Sequence, residues 1–130
     1  MVNLLEQVKY LSRLYDIHPK KSKGQNFLIR KSVYNQILNH AKPGNTDLIL
    51  EVGPGFGFLT FELAQKCGQV VAVELDNKLA KYLNISFGVK NLSNVKIINK
   101  NILDINVGKE VLDKKYKDYK VVANLPYSIS

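Results

Sequence analysis

The sequence predicts an α/β fold, a doubly wound parallel sheet covered by helices on both faces. Three observations predict it. Four short apolar runs recur along the chain: DLILEV (47–52), VVAVEL (70–75), VKIIN (95–99) and KVVAN (120–124). Helix-compatible stretches separate them, and apolar strands alternating with helices imply a sheet buried on both faces with right-handed crossovers. A glycine cluster, Gly53-Pro54-Gly55-Phe56-Gly57, joins the first run to the helical stretch after it.

The elements follow in order. Leu4, Val8, Leu11 and Tyr15 recur at helical spacing, with Glu6, Lys9 and Arg13 between them, which predicts an amphipathic helix ended by His18-Pro19. Ser32 is a candidate cap for a second helix to about His40, with Val33, Ile37 and Ala41 on one face, and Pro43-Gly44 breaks it. The first strand, 47–52, leads through the glycines into a helix over 58–67, with Gly68 expected as its left-handed terminator. The second strand is followed by a helix over about 77–87, and the third and fourth strands lie at 95–99 and 120–124. A doubly wound sheet ordinarily continues past its fourth strand, so the expectation is an amino-terminal piece of a larger fold. The organisation expected is a helix and basic segment over 1–31, then a partial ligand-binding domain over 32–130.

With 130 residues, 45% hydrophobic and 23% charged, the composition is that of an ordinary folded domain. Nineteen basic residues against eleven acidic ones give a formal charge of +8, which favours an anionic partner such as nucleic acid. Cys67 is the single cysteine, so no internal disulfide is possible; it is expected as a small buried residue in a reduced, cytoplasmic protein. His18 and His40 match no metal-ligand spacing, and no metal is expected. No signal peptide or membrane-length apolar run is present in the sequence, so no membrane partner is expected.

A glycine-rich turn lets backbone amides approach a ligand that side chains would block. An ordinary strand–helix turn can also carry glycines, so context matters. Glu74 ends the second strand 21 residues after Gly53, where a carboxylate can accept hydrogen bonds from both ribose hydroxyls of a nucleoside. Dinucleotides and S-adenosylmethionine both fit that arrangement. The dinucleotide fingerprint G-x-G-x-x-G would need its third glycine where Phe58 stands, and the pattern here is G-x-G-x-G. S-adenosylmethionine is therefore the expected cofactor.

Asn124-Leu125-Pro126-Tyr127 follows the fourth strand. The exocyclic amine of adenine is a weak nucleophile because its lone pair is delocalised into the ring. The Asn124 side-chain oxygen and the Leu125 carbonyl can each accept one amine hydrogen and so direct the lone pair. Pro126 restricts Leu125 to extended backbone, which aims that carbonyl. Tyr127 offers a ring on which an extruded base can stack.

At this point the chain resembles the ribosomal RNA adenine dimethyltransferases. The stretches that carry the resemblance are KSKGQNFL (21–28), LEVGPGFGFLT (50–60), VVAVELD (70–76), INKNIL (98–103) and VVANLPYSIS (121–130), in the family's order from about Lys20 onwards. The resemblance implies a Rossmann-like class I S-adenosylmethionine-dependent methyltransferase fold, here reaching to the fourth strand. It implies dimethylation of two adjacent adenines in small-subunit ribosomal RNA, with the small-subunit precursor as partner and the protein a monomer. It also implies that Asn26 and Leu28 close over the methyl donor, that Gly53 lies beside its methionine part, and that Glu74 binds its ribose. Asn124 would reach both donor and target amine, and Tyr127 would stack on the base. One position departs: the family usually has aspartate after the third strand, contacting the donor's adenine amine, and INKNIL places Asn101 there. Asn101 can accept through its carbonyl oxygen without charge assistance, and Asp104 is the alternative if the loop shifts.

Lys20, Lys21, Lys23, Arg30 and Lys31 flank GQNFL with no acidic residue among them, as expected for a segment that guides RNA phosphates. Lys109, Lys114, Lys115, Lys117 and Lys120 alternate with Glu110, Asp113 and Asp118 and are expected to form a solvated face. Two other functions stay open on the sequence: methylation of one adenine in large-subunit RNA, as in the macrolide-resistance class, and a non-catalytic assembly or transcription factor on the same fold. The proline after the first loop glycine, Pro54, favours the small-subunit group, and the intact NLPY argues for catalysis.

Overall fold

A computed structural model describes residues 4–14, 16 and 31–123. Helices α1 (Leu4–Leu14) and α2 (Lys31–Ala41) precede strand β1 (Leu48–Val52). Then come α3 (Phe58–Ala64), β2 (Gln69–Val73), α4 (Asn77–Val89) and β3 (Val95–Ile98). A 3-10 turn (Ile102–Asp104) and the short helix α5 (Val107–Glu110) lead to β4 (Lys120–Ala123).

Among the described residues the strands form one sheet in the order β3-β2-β1-β4, every pair parallel. β1 is central and all five of its residues are buried, as a strand covered on both faces must be. Its alternate residues serve two cores. Ile49 packs with Val70, Ala72 and Val122 against Tyr34 of α2 and Leu59 and Leu63 of α3. Leu48 and Leu50 pack with Val71 and Val73 on the other face, against Val111 and Tyr116. The chain therefore winds one way from β1 through β2 to β3, then crosses to the far side of β1 to lay down β4. The order reverses between β1 and β4, and such a switch point opens a crevice at the carboxyl ends of the strands.

Among the described residues the predicted helices and strands are present, with ends shifted by at most three residues, and the short elements over 102–110 were not predicted. Two expectations are corrected. α2 begins at Lys31, so Ser32 lies inside the helix and does not cap it. α3 ends at Ala64 with Gln65 as its cap, so Gly68 is not its terminator. Gly68 is not among the positive-φ residues; its constraint is space. A Cβ there would collide with the Tyr116 hydroxyl and lie 2.8 Å from the Asn45 carbonyl oxygen. Cys67 is buried just past α3, as expected, and burial pushes its thiol up to about 11.

Candidate functional site

The crevice side of β1 is built by the glycine turn. Gly53, Gly55 and Gly57 all have left-handed backbones, with φ of 72°, 60° and 82°. Side-chain-bearing residues pay a steric cost in this region, so three such positions in five demand glycine. Gly53 extends the ladder by donating its amide to Val73 O at 3.0 Å, and Gly57 N closes the turn on Pro54 O at 2.9 Å. Gly57 has a second reason to lack a side chain: a Cβ would stand 2.7 Å from Leu83 Cδ2 on α4. Phe56 at the tip is buried, its ring edge-to-face with Tyr82 at 5.5 Å, and Leu79 and Leu11 pack beside it. α1 thus braces the turn through Leu11.

Glu74 follows β2 and faces this turn. Its Oε1 accepts from Gly55 N at 3.3 Å and its Oε2 from Asp76 N at 2.8 Å. Burial raises its pKa, and those two backbone bonds partly offset the rise. Each carboxylate oxygen keeps a second lone-pair direction, so the group can accept two ribose hydroxyls without giving up the turn. The Glu74 carbonyl is fixed as well: Asn99 Nδ2 donates to it at 2.9 Å and to the Leu75 carbonyl at 3.3 Å. Asp76 starts α4, accepting from Lys78 N and Leu79 N at 2.9 and 3.0 Å.

At the end of β3, Asn101 caps the 3-10 turn, its Oδ1 accepting from Leu103 N at 3.0 Å. That oxygen, expected to face a ligand, accepts one hydrogen bond within the chain and keeps a second lone pair. Asp104, the alternative residue, closes the same turn, its amide donating to Asn101 O at 2.9 Å. Leu75 and Leu103 are 49% and 87% exposed at the carboxyl ends of β2 and β3, an apolar rim suited to a flat heterocycle.

Gly53, Glu74 and Asn101 therefore all lie at the carboxyl ends of three adjacent strands. Asn26, Leu28, Asn124, Leu125, Pro126 and Tyr127 lie outside the described residues, as does the basic stretch before Lys31. Ala123, the residue before Asn124, pairs with Val52, the residue before Gly53.

The left-handed glycines, the carboxylate facing them and the strand order suit a nucleoside-binding site, and comparison with known proteins gives the family. Residues 17–130 match the model of ribosomal RNA adenine dimethylases. The chain belongs to the ribosomal RNA adenine dimethylase family. Among curated relatives, a ribosomal RNA small subunit methyltransferase A of Dehalococcoides mccartyi is 44% identical over 128 residues, covering 98% of this chain and 43% of that one. The protein of the same name in Ureaplasma urealyticum is 45% identical over 116 residues, covering 86% and 40%. This dimethylase-family chain thus spans less than half the length of these relatives. Among solved structures, the 23S rRNA methyltransferase ErmE superposes with a TM-score of 0.67 at 30% identity, covering 80% of this chain and 39% of that one. A dimethyladenosine transferase from Plasmodium falciparum gives 0.67 at 21%, covering 81% and 35%, a likeness of fold. The fold is the Rossmann-like one of class I S-adenosylmethionine-dependent methyltransferases.

Two residues of the site region escaped sequence reasoning. Glu51 is 1% exposed inside β1, its Oε1 accepting from Thr60 Oγ1 at 2.5 Å. The only signal for it was an acid inside an apolar run. Asn99 ties β3 to the Glu74 and Leu75 carbonyls, and no sequence pattern marks that role. The lysines over 109–120 are mostly at the surface, as expected. Lys120 is bound to Asp47 at 2.9 Å and to the Ala41 and Lys42 carbonyls, each at 3.0 Å. A cleft of about 440 Å³ beside it opens at the amino ends of β1 and β4, the opposite end of the sheet from the glycine turn. Among the described residues, no helix is long and apolar enough to cross a membrane, and no cluster of His, Cys, Asp and Glu could hold a metal ion.

Proposed function

We propose that the protein dimethylates the exocyclic amines of two adjacent adenines in small-subunit ribosomal RNA, using S-adenosylmethionine. The observation that carries this reading is the meeting of Gly53–Gly57 and Glu74 at the switch point of the sheet, with Asn124-Leu125-Pro126-Tyr127 following directly on β4. The relatives' name, ribosomal RNA small subunit methyltransferase A, supports the choice of substrate.

In this proposal Gly53 and the turn amides receive the methionine part of the donor and Glu74 its ribose hydroxyls. Asn26 and Leu28 close over it. The bound donor supplies a methyl group on a positively charged sulfur. Asn124 and the Leu125 carbonyl hold the two hydrogens of the target amine, so that its lone pair points at that methyl. Tyr127 stacks on the base, and Lys20, Lys21, Lys23, Arg30 and Lys31 contact RNA phosphates. The methylated ammonium is acidic enough to release its proton to water, so no general base is required. The protein acts as a cytoplasmic monomer on a precursor of the small subunit.

The test is label transfer from S-adenosylmethionine by the full-length protein to undermethylated small subunits and, separately, to large-subunit RNA. Dimethyladenosine in the small subunit alone is the expected product. Label confined to large-subunit RNA, or transferred to neither, would overturn the proposal.

A further inference from the structure

Asn101 offers a hydrogen-bonding sense that the position alone does not reveal. Its Oδ1 is held by Leu103 N at 3.0 Å, as the cap of the turn after β3. A side-chain amide is planar and has two unlike ends. With the oxygen turned to the cap and one of its two lone pairs taken by Leu103 N, the end turned away from the cap is Nδ2, which carries two hydrogens and no lone pair to accept with. Aspartate in the same cap would leave a second oxygen, which only accepts. Changing one for the other keeps the turn and reverses the sense of the free end.

A nucleoside whose ribose is held by Glu74 lies across the carboxyl ends of the strands, with its base towards β3 and the Leu75–Leu103 rim. The exposed Asn101 amide stands at that end. The outer edge of adenine presents one acceptor, N1, beside one donor, the 6-amino group. Hypoxanthine presents O6, an acceptor, where adenine has the amine. An NH2 group can give a hydrogen to adenine N1 or to hypoxanthine O6, but it has nothing to offer the adenine amine or the N1–H of hypoxanthine.

We propose that Asn101 reads the bound nucleoside as a hydrogen-bond donor, so that this chain does not select the 6-amino group of its methyl donor's base. The inference rests on the S-adenosylmethionine reading of the site. Asn101→Asp restores an acceptor at the free end and with it selection for the amine, because a site that accepts from an amine is left unpaired, and facing another acceptor, when O6 takes its place.

Calorimetric titration of the full-length protein with S-adenosyl-L-homocysteine and S-inosyl-L-homocysteine tests this without turnover. The parent is expected to bind the two within about threefold of each other, and Asn101→Asp to favour the adenosyl compound by about tenfold or more. A parent that itself favours the adenosyl compound tenfold overturns the inference, as does an unchanged ratio in Asn101→Asp. Failure of the parent to bind either compound overturns the donor-site reading together with the inference, and so is distinct from both.

Discussion

Thr60 and Glu51 form a hydrogen bond of 2.5 Å in the core between β1 and α3, with Thr60 Oγ1 donating to Glu51 Oε1. The other oxygen, Oε2, is buried with no partner among the described residues. Burial pushes this carboxyl up from its ordinary value near 4.5 to about 7; the Thr60 bond opposes the rise and the negative Glu74 adds to it. Because the folded value is raised, the native protein holds the proton more tightly than the unfolded chain. The stability this contributes is fully present below about pH 4.5 and is lost as pH rises through about 7. The difference amounts to roughly 3 kcal/mol. Glu51→Gln keeps an acceptor for Thr60 and cannot ionise, so it should gain on the parent as pH rises. Urea unfolding of both at pH 5 and pH 8 measures this, and a gap between them that does not widen would show that Glu51 does not titrate in this window.

Glu74→Ala should weaken binding of S-adenosyl-L-homocysteine strongly. Two hydrogen bonds to a charged acceptor are worth about 1.5–3 kcal/mol each. The change also frees the Gly55 and Asp76 amides that the carboxylate holds. Glu74→Gln separates the two effects, since it keeps the shape and loses the charge. Calorimetry on the full-length variants gives the ranking parent, then Gln, then Ala; Glu74→Ala binding as tightly as the parent would remove Glu74 from the site.

Two glycines should respond to alanine with opposite signs. Gly57 has φ 82° and a Cβ would meet Leu83 at 2.7 Å. Gly57→Ala therefore combines backbone strain of about 1–2 kcal/mol with a forced shift of the buried Leu83 and Phe87 side chains. Gly88 lies in α4 with nothing within 4 Å of its would-be Cβ. Gly88→Ala should stabilise the helix by about 0.5–1 kcal/mol. Thermal melts of both variants check the pair, and a drop in Tm for Gly88→Ala would mean that its surface is occupied.

Asn124→Ala should abolish methyl transfer while donor binding persists at reduced strength, because one of two acceptors for the target amine is gone. Tyr127→Ala should weaken capture of the base, and Tyr127→Phe should retain most activity, since stacking needs the ring and not the hydroxyl. Single-turnover transfer to small-subunit particles provides the measurement. Substantial turnover by Asn124→Ala would exclude orientation of the amine by this side chain.

β1 and β2 were legible because burial on both faces leaves nearly continuous apolar runs such as VVAV, whereas β3 and β4, at the sheet edges, are partly exposed and were legible from their short apolar runs alone. The turn over 102–104 and α5 were not, since elements of three and four residues are too short to show a period. The sequence shows Phe58 where a dinucleotide fingerprint would have its packing glycine, but it assigns no packing role to Gly57. In the structure Gly57 meets Leu83 and Phe87 of α4, a helix contact made 26 and 30 residues on that no spacing rule encodes. Glu74 could be read from its place at a strand end; Glu51 could not, because the partner that makes it tolerable, Thr60, belongs to another element. Asn101 was found by alignment with a motif, but which end of its amide is free depends on the Leu103 bond.

The sheet order also sets a timetable. β1 meets β2 through a crossover of about twenty residues, whereas Ile49 waits for Lys120, about seventy residues on, to pair with β4. Closing the longer loop costs more entropy, and near contacts are favoured to form first. During synthesis the ribosome also delivers β1, β2 and β3 before β4. Gly53 and Glu74 can thus come together while the residues that would hold the target amine are still in the exit tunnel. On the proposed reading, the pocket for the methyl donor can close before the chain has the residues that would orient the target amine.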